Sequence, residues 1–262
     1  LLVGIVIMFL DNMKANQFFR TIAASFLMAL LAYGMDRLGI ASNPNVVIIG
    51  ALMILVPGLL FTNAMRDIIY GDTNSGINRI VQVLLVAVAI ALGTAAAWNT
   101  ADAFWGIGIS PAVIHYNLMI QSLACFVGCV GFFILFNIHG PGGLVCALGG
   151  VITWAIYSII FDYTGNDLAG YFWASLFASA YSETMARIRK YPAISYLVVS
   201  IFPLIPGAGV YYTMEHAVRG DMGLFANQGT HTAAIAGIMA VGILLVSTSV
   251  RLYLIWRSRK RD

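Results

Sequence analysis

Val56-Pro57-Gly58, followed by Met65 and by Gly71-Asp72, is written a second time in this chain as Ile205-Pro206-Gly207, Met214 and Gly220-Asp221. The windows 57–72 and 206–221 agree at five of sixteen positions without a gap, at an offset of 149 residues. That is an internal repeat. Each copy sets a helix-breaking Pro-Gly inside an apolar stretch and follows it with charged side chains. Membrane proteins build polar sites within hydrocarbon in this way, because opened backbone and charge are tolerated there only when protein or a water-filled cavity surrounds them.

The composition around the repeat agrees. Of 262 residues, 60% are hydrophobic and 10% charged, where ordinary soluble domains carry about a quarter charged residues. The chain therefore reads as an all-α integral membrane protein with many spans. Its net charge of +3 comes largely from the tail Arg257-Ser258-Arg259-Lys260-Arg261, which reads as a membrane-orienting cluster and implies no nucleic-acid partner. Cys125, Cys129 and Cys146 lie in apolar segments with no His or carboxylate beside them, so they read as small buried residues; no metal or other cofactor is implied.

A span needs roughly 20 apolar residues. Nine segments qualify or nearly so: 1–10, 18–35, 46–69, 78–98, 114–136, 144–161, 169–186, 194–217 and 230–256. Lys/Arg bias orients them. The loop Arg187-Ile188-Arg189-Lys190 and the C-terminal tail belong in the cytoplasm, and the loops 99–113 and 162–168, which lack Lys and Arg, belong outside. Five steps of the chain separate the span holding Pro57 from the span holding Pro206, so the two copies are expected to cross the membrane in opposite directions. The organisation expected is a polytopic helical transporter with two inverted five-helix repeats, 1–113 and 114–262, the fourth helix of each broken at Pro-Gly. Because the chain begins inside an apolar run, the first helix of the first repeat is expected to be missing.

The chemistry of the motif follows from its breaks. Proline removes a donor and clashes with the preceding turn, so Pro57-Gly58 and Pro206-Gly207 should interrupt their helices near mid-membrane. The second half-helix then offers amides and a partial positive charge to a carboxylate. Beyond the first break Asn63, Arg66, Asp67 and Tyr70 fall at helical spacing; beyond the second, Tyr212, Glu215, His216 and Arg219. Gly71-Asp72 and Gly220-Asp221 read as turns, with the aspartates as caps. Glu183, beside the basic loop, is a further carboxylate of the membrane region.

These residues carry a family resemblance. The run 48–58, continued by Thr62-Asn63-Ala64-Met65-Arg66-Asp67-Ile68-Ile69 and Gly71-Asp72, resembles the signature of the threonine/serine exporter family. The second half resembles that family's smaller partner module through Phe136-Asn137-Ile138, Tyr191-Pro192, Ile205-Pro206-Gly207 and Tyr212-Thr213-Met214. The resemblance implies proton-driven export of threonine and serine across the plasma (bacterial inner) membrane, with dicarboxylates such as succinate as the alternative substrate. Its partners would be the small-molecule substrate, protons and the lipid bilayer; association into a homo-oligomer stays open. For an amino acid, the amides after Pro57 or Pro206 would hold the carboxylate, Asp67 or Glu215 the ammonium, and Thr62, Asn63 or Tyr212 the hydroxyl; for a dicarboxylate, Arg66 and His216 would take the second anion. Proton coupling needs a group that gains and loses a proton as its exposure changes, and Asp67, Glu183, Glu215 and His216 are the candidates, Asp67 first.

Other classes fit less well. An intramembrane aspartyl protease needs paired carboxylates sharing a proton, yet Ile69-Tyr70-Gly71-Asp72 and Val218-Arg219-Gly220-Asp221 lack the first glycine of that enzyme's Gly-x-Gly-Asp. The inverted topology would also send the two aspartates to opposite faces. No nucleophile elbow or zinc-protease motif occurs, so no enzyme is expected. A passive channel is the better rival.

Overall fold

The computed structural model describes residues 16–40, 44–52, 55, 58–106, 116–135 and 141–259. All regular structure among them is helical: α1 (Gln17–Arg37), α2 (Pro44–Leu52), α3 (Gly58–Tyr70), α4 (Thr73–Trp105), α5 (Leu118–Leu135), α6 (Gly142–Thr164), α7 (Asp167–Arg189), α8 (Ala193–Ser200), α9 (Gly207–Arg219) and α10 (Met222–Arg259), with a 3₁₀ turn at Phe202–Leu204. The expected segment 1–10 and Pro57 lie outside the described residues. Helices α1, α4, α6 and α10 are each long and apolar enough to cross a membrane, and the broken pair after Tyr191-Pro192 adds a fifth span if its pieces count as one. The chain is thus a polytopic, all-α membrane protein.

The repeat extends beyond the motif. Three successive helices start 149 residues apart: Pro44 and Ala193, Gly58 and Gly207, Thr73 and Met222. The half-helices α3 and α9 are both 13 residues long. Their burial pattern also recurs. Thr62 and Tyr211, and Ala64 and Thr213, are buried; Asn63 and Tyr212, Arg66 and Glu215, Asp67 and His216 are half-buried; Tyr70 and Arg219 are exposed.

Two helices outrun their apolar segments. The expected span 78–98 lies inside a 33-residue helix, and 230–256 inside one of 38 residues, about 50 and 57 Å at 1.5 Å per residue against a hydrocarbon core of about 30 Å. Residues 99–105, expected in an outer loop, are helical. Hydropathy marks where a helix meets lipid; caps and propensity mark where it ends. Asp72 Oδ1 accepts from the Ser75 amide at 3.3 Å and starts α4 early, while the alanines at 95, 96, 97, 101 and 103 carry it onward past Asn99.

The chain divides into two compact units that do not follow its order. The first comprises Leu1–Phe61, Ile77–Ile114 and Pro206–Thr232; the second comprises Thr62–Gly76, His115–Ile205 and Ala233–Asp262. In the first, Met28, Ala29 and Tyr33 of α1, Ile48 and Leu52 of α2, Ile90 and Ala97 of α4 and Tyr211 of α9 form one buried cluster. Val210 and Met214 of α9 form a second with Val83, Ala87 and Ala91 of α4. In the second unit α6 lies against α5, α7 and α8, around Cys129, Cys146, Ala147, Tyr196 and Val199. Small residues set these distances, as in other membrane helices: a Cβ at Gly150 would stand 2.5 Å from Cys129 Sγ, and one at Gly93 would collide with Ser25 Oγ and the Ile22 carbonyl.

Candidate functional site

The second break shows how the sequence opens a helix. Ile205, ahead of Pro206, is forced to an extended ψ of 123°, and Pro206 has ψ 45° and brings no amide proton. The chain bridges the gap with 3₁₀ bonds from the Leu204 amide to Ile201 O at 2.9 Å and from the Ile205 amide to Phe202 O at 3.2 Å. Helix α9 then restarts at buried Gly207 with no side-chain cap, so its first-turn amides carry the helix's positive end. In the first copy Gly58 likewise opens α3.

Both half-helices end in the same way. Gly71 has φ 98° and Gly220 φ 83°, a left-handed conformation that glycine adopts without strain. The Asp72 and Asp221 amides donate to Asp67 O and His216 O, each at 2.9 Å, closing the turns. Gly220→Ala should therefore cost about 1–2 kcal/mol, measured as a lower midpoint of thermal unfolding in detergent. Gly223→Ala, where a Cβ would meet open space, should leave that midpoint in place; equal midpoints for the two variants would contradict the turn's demand for glycine.

On α9, Tyr211, Tyr212 and Glu215 gather in the first unit with residues of two other helices. The Tyr211 hydroxyl donates to Thr94 Oγ1 of α4 at 3.4 Å, and the Tyr211 and Tyr212 rings lie 5.3 Å apart. The Glu215 carboxylate accepts from Arg219 at 2.6 Å, with side-chain exposures of 19% and 56%. It lies within electrostatic reach of the Tyr33, Tyr211 and Tyr212 hydroxyls. His216 Nδ1 is buried and, among the described residues, has no hydrogen-bond partner.

On α3, Thr62 is buried and Asn63, Arg66 and Asp67 are half-buried, all in the second unit. Met65 reaches Gly237 of α10, where an added Cβ would stand 3.6 Å from its Cε, and Arg251 of α10 donates to the Tyr70 hydroxyl at 3.3 Å. Glu183 pairs with Arg187 one turn on at 3.0 Å, a contact within its own helix. Asn63, Arg66 and Asp67 thus share one face, as do Tyr212 and Glu215, while Glu183 stands on another helix.

Tyr33, Thr94 and Tyr211 were not among the residues singled out from sequence. For Tyr211 a signal existed, since the 149-residue offset maps Thr62 onto it. Tyr33 and Thr94 carry no local mark, and only the meeting of α1, α4 and α9 places them here. Among the described residues no group of His, Cys, Asp and Glu could hold a metal ion.

Comparison with known proteins adds the family. The model described as "Putative threonine/serine exporter" matches residues 1–101, and that described as "Threonine/Serine exporter, ThrE" matches residues 121–249. The chain matches no curated protein and no solved structure. Two modules of one family, in order and together spanning most of the sequence, leave one conclusion: the chain belongs to the threonine/serine exporter family, in its two-module form.

Proposed function

We propose that the chain is a proton-coupled secondary transporter exporting small hydrophilic amino acids, threonine and serine, across the plasma membrane. The observation that carries the reading is the matched pair of half-helices, α3 and α9, each opened by a glycine, 13 residues long and polar along one face. A transporter needs substrate contacts between elements able to move, and broken helices of paired repeats supply them. The repeats 1–113 and 114–262 cross the membrane in opposite directions, with the basic tail in the cytoplasm, and alternating access opens the site to one side of the membrane at a time.

The half-helix amides after Pro206-Gly207 receive the substrate carboxylate. Glu215 receives the ammonium, and the Tyr212 hydroxyl on the same half-helix receives the substrate's hydroxyl. Asp67 carries the proton, with His216 as the second titrating group. Glu183, already held by Arg187, ranks behind both.

The test is efflux of labelled threonine from proteoliposomes at a fixed threonine gradient, with and without an imposed proton gradient. The proton gradient should accelerate efflux, and collapsing it should remove the acceleration. Flux indifferent to the proton gradient would make the protein a passive channel.

A further inference from the structure

Four hydroxyls and one carboxylate gather inside the first unit, from three helices that no sequence motif links. Tyr33 comes from α1, Thr94 from α4, and Tyr211 and Tyr212 from α9. Tyr33, Thr94 and Tyr211 keep 7%, 4% and 8% of their surface, so their hydroxyls sit among helices and not in lipid. Polar groups placed there are costly unless they bond to something.

Their bonding is unequal. Thr94 directs its own proton to the Ile90 and Ala91 carbonyls at 3.0 and 3.1 Å, which leaves Oγ1 as an acceptor. The Tyr211 hydroxyl donates to that oxygen at 3.4 Å, well beyond the 2.7–2.8 Å typical of a hydroxyl pair. Tyr211 is a loosely committed donor facing a fixed acceptor. Glu215 follows Tyr211 by one helical turn and lies within electrostatic reach of Tyr33, Tyr211 and Tyr212. Its resting partner Arg219 is the most exposed member of the cluster. The charged end is therefore accessible and the hydroxyl end enclosed.

We propose that this cluster is the recognition pocket for a substrate carrying an ammonium and a hydroxyl on adjacent carbons. The ammonium displaces Arg219 from Glu215. Tyr211 releases Thr94 and donates to the substrate hydroxyl, which donates in turn to Thr94 Oγ1, and Tyr33 closes the pocket from α1. The inference deepens the transport reading and rests on it, replacing a general polar face by three named hydroxyls.

The test is competition in counterflow with the full chain, labelled threonine being exchanged against unlabelled threonine or 2-aminobutyrate, which has threonine's outline without the hydroxyl. Wild type should prefer threonine by about tenfold, the worth of one hydrogen bond. Tyr211→Phe and Thr94→Val each delete one bonding atom, and the preference should fall toward unity in both while affinity for 2-aminobutyrate holds. A general packing defect would weaken both ligands together and leave the ratio intact. Threonine exchange by wild type, with the wild-type ratio kept in both variants, would overturn the pocket and spare the transport reading. No amino-acid exchange by wild type would overturn both.

Discussion

Asp67→Asn is expected to reduce gradient-driven threonine export to the level of empty liposomes. Asp67 is the single carboxylate of α3, half-buried on the face that also carries Asn63 and Arg66. Placing an ionisable group in the membrane is expensive, and such residues are found where ions or substrates pass. Asparagine keeps the outline and the carbonyl acceptor but takes up no proton, so it separates coupling from shape. Asp67→Glu, which restores a titrating group one methylene further out, should recover part of the flux. Full gradient-driven export by Asp67→Asn would remove the residue from the coupling step and pass the role to His216.

Glu215→Gln should raise the half-saturating threonine concentration about ten- to a hundredfold, the worth of a hydrogen bond to a charged group. The substitution leaves an amide in the carboxylate's place and frees Arg219. That guanidinium is already 56% exposed, so its loss of a partner costs little in stability. The thermal midpoint in detergent should therefore stay near that of wild type while transport weakens. Half-saturation unchanged in Glu215→Gln would mean that the ammonium binds elsewhere, with Asp67 as the next carboxylate to replace.

The break at Pro206 was legible in the sequence because its cause is local. Proline, glycine and their neighbours act through their own dihedrals, so Pro206-Gly207 could be read in place, and the restart at Gly58 matches it at a constant offset. The interleaving of the compact units was not legible. Thr62–Gly76 belongs with the second half of the chain and Pro206–Thr232 with the first, because Val210 and Met214 bury against α4 and Met65 against Gly237. A repeat in sequence does not say which neighbour a half-helix chooses. For the same reason Tyr212 and Glu215 stood out as polar residues beyond a break, whereas Tyr33 and Thr94 acquire meaning only when α1 and α4 are set beside α9. The lengths of α4 and α10 were missed because polar residues such as Asn99 and Gln228 end an apolar run without ending a helix.

Counterflow in proteoliposomes of the complete protein tests the central claim most directly. Vesicles preloaded with threonine, serine or succinate would be offered labelled threonine. The account predicts rapid accumulation of label in vesicles holding threonine or serine and background in those holding succinate. Accumulation driven by succinate alone would contradict it, moving the protein to dicarboxylates and making Arg66 the residue to test next.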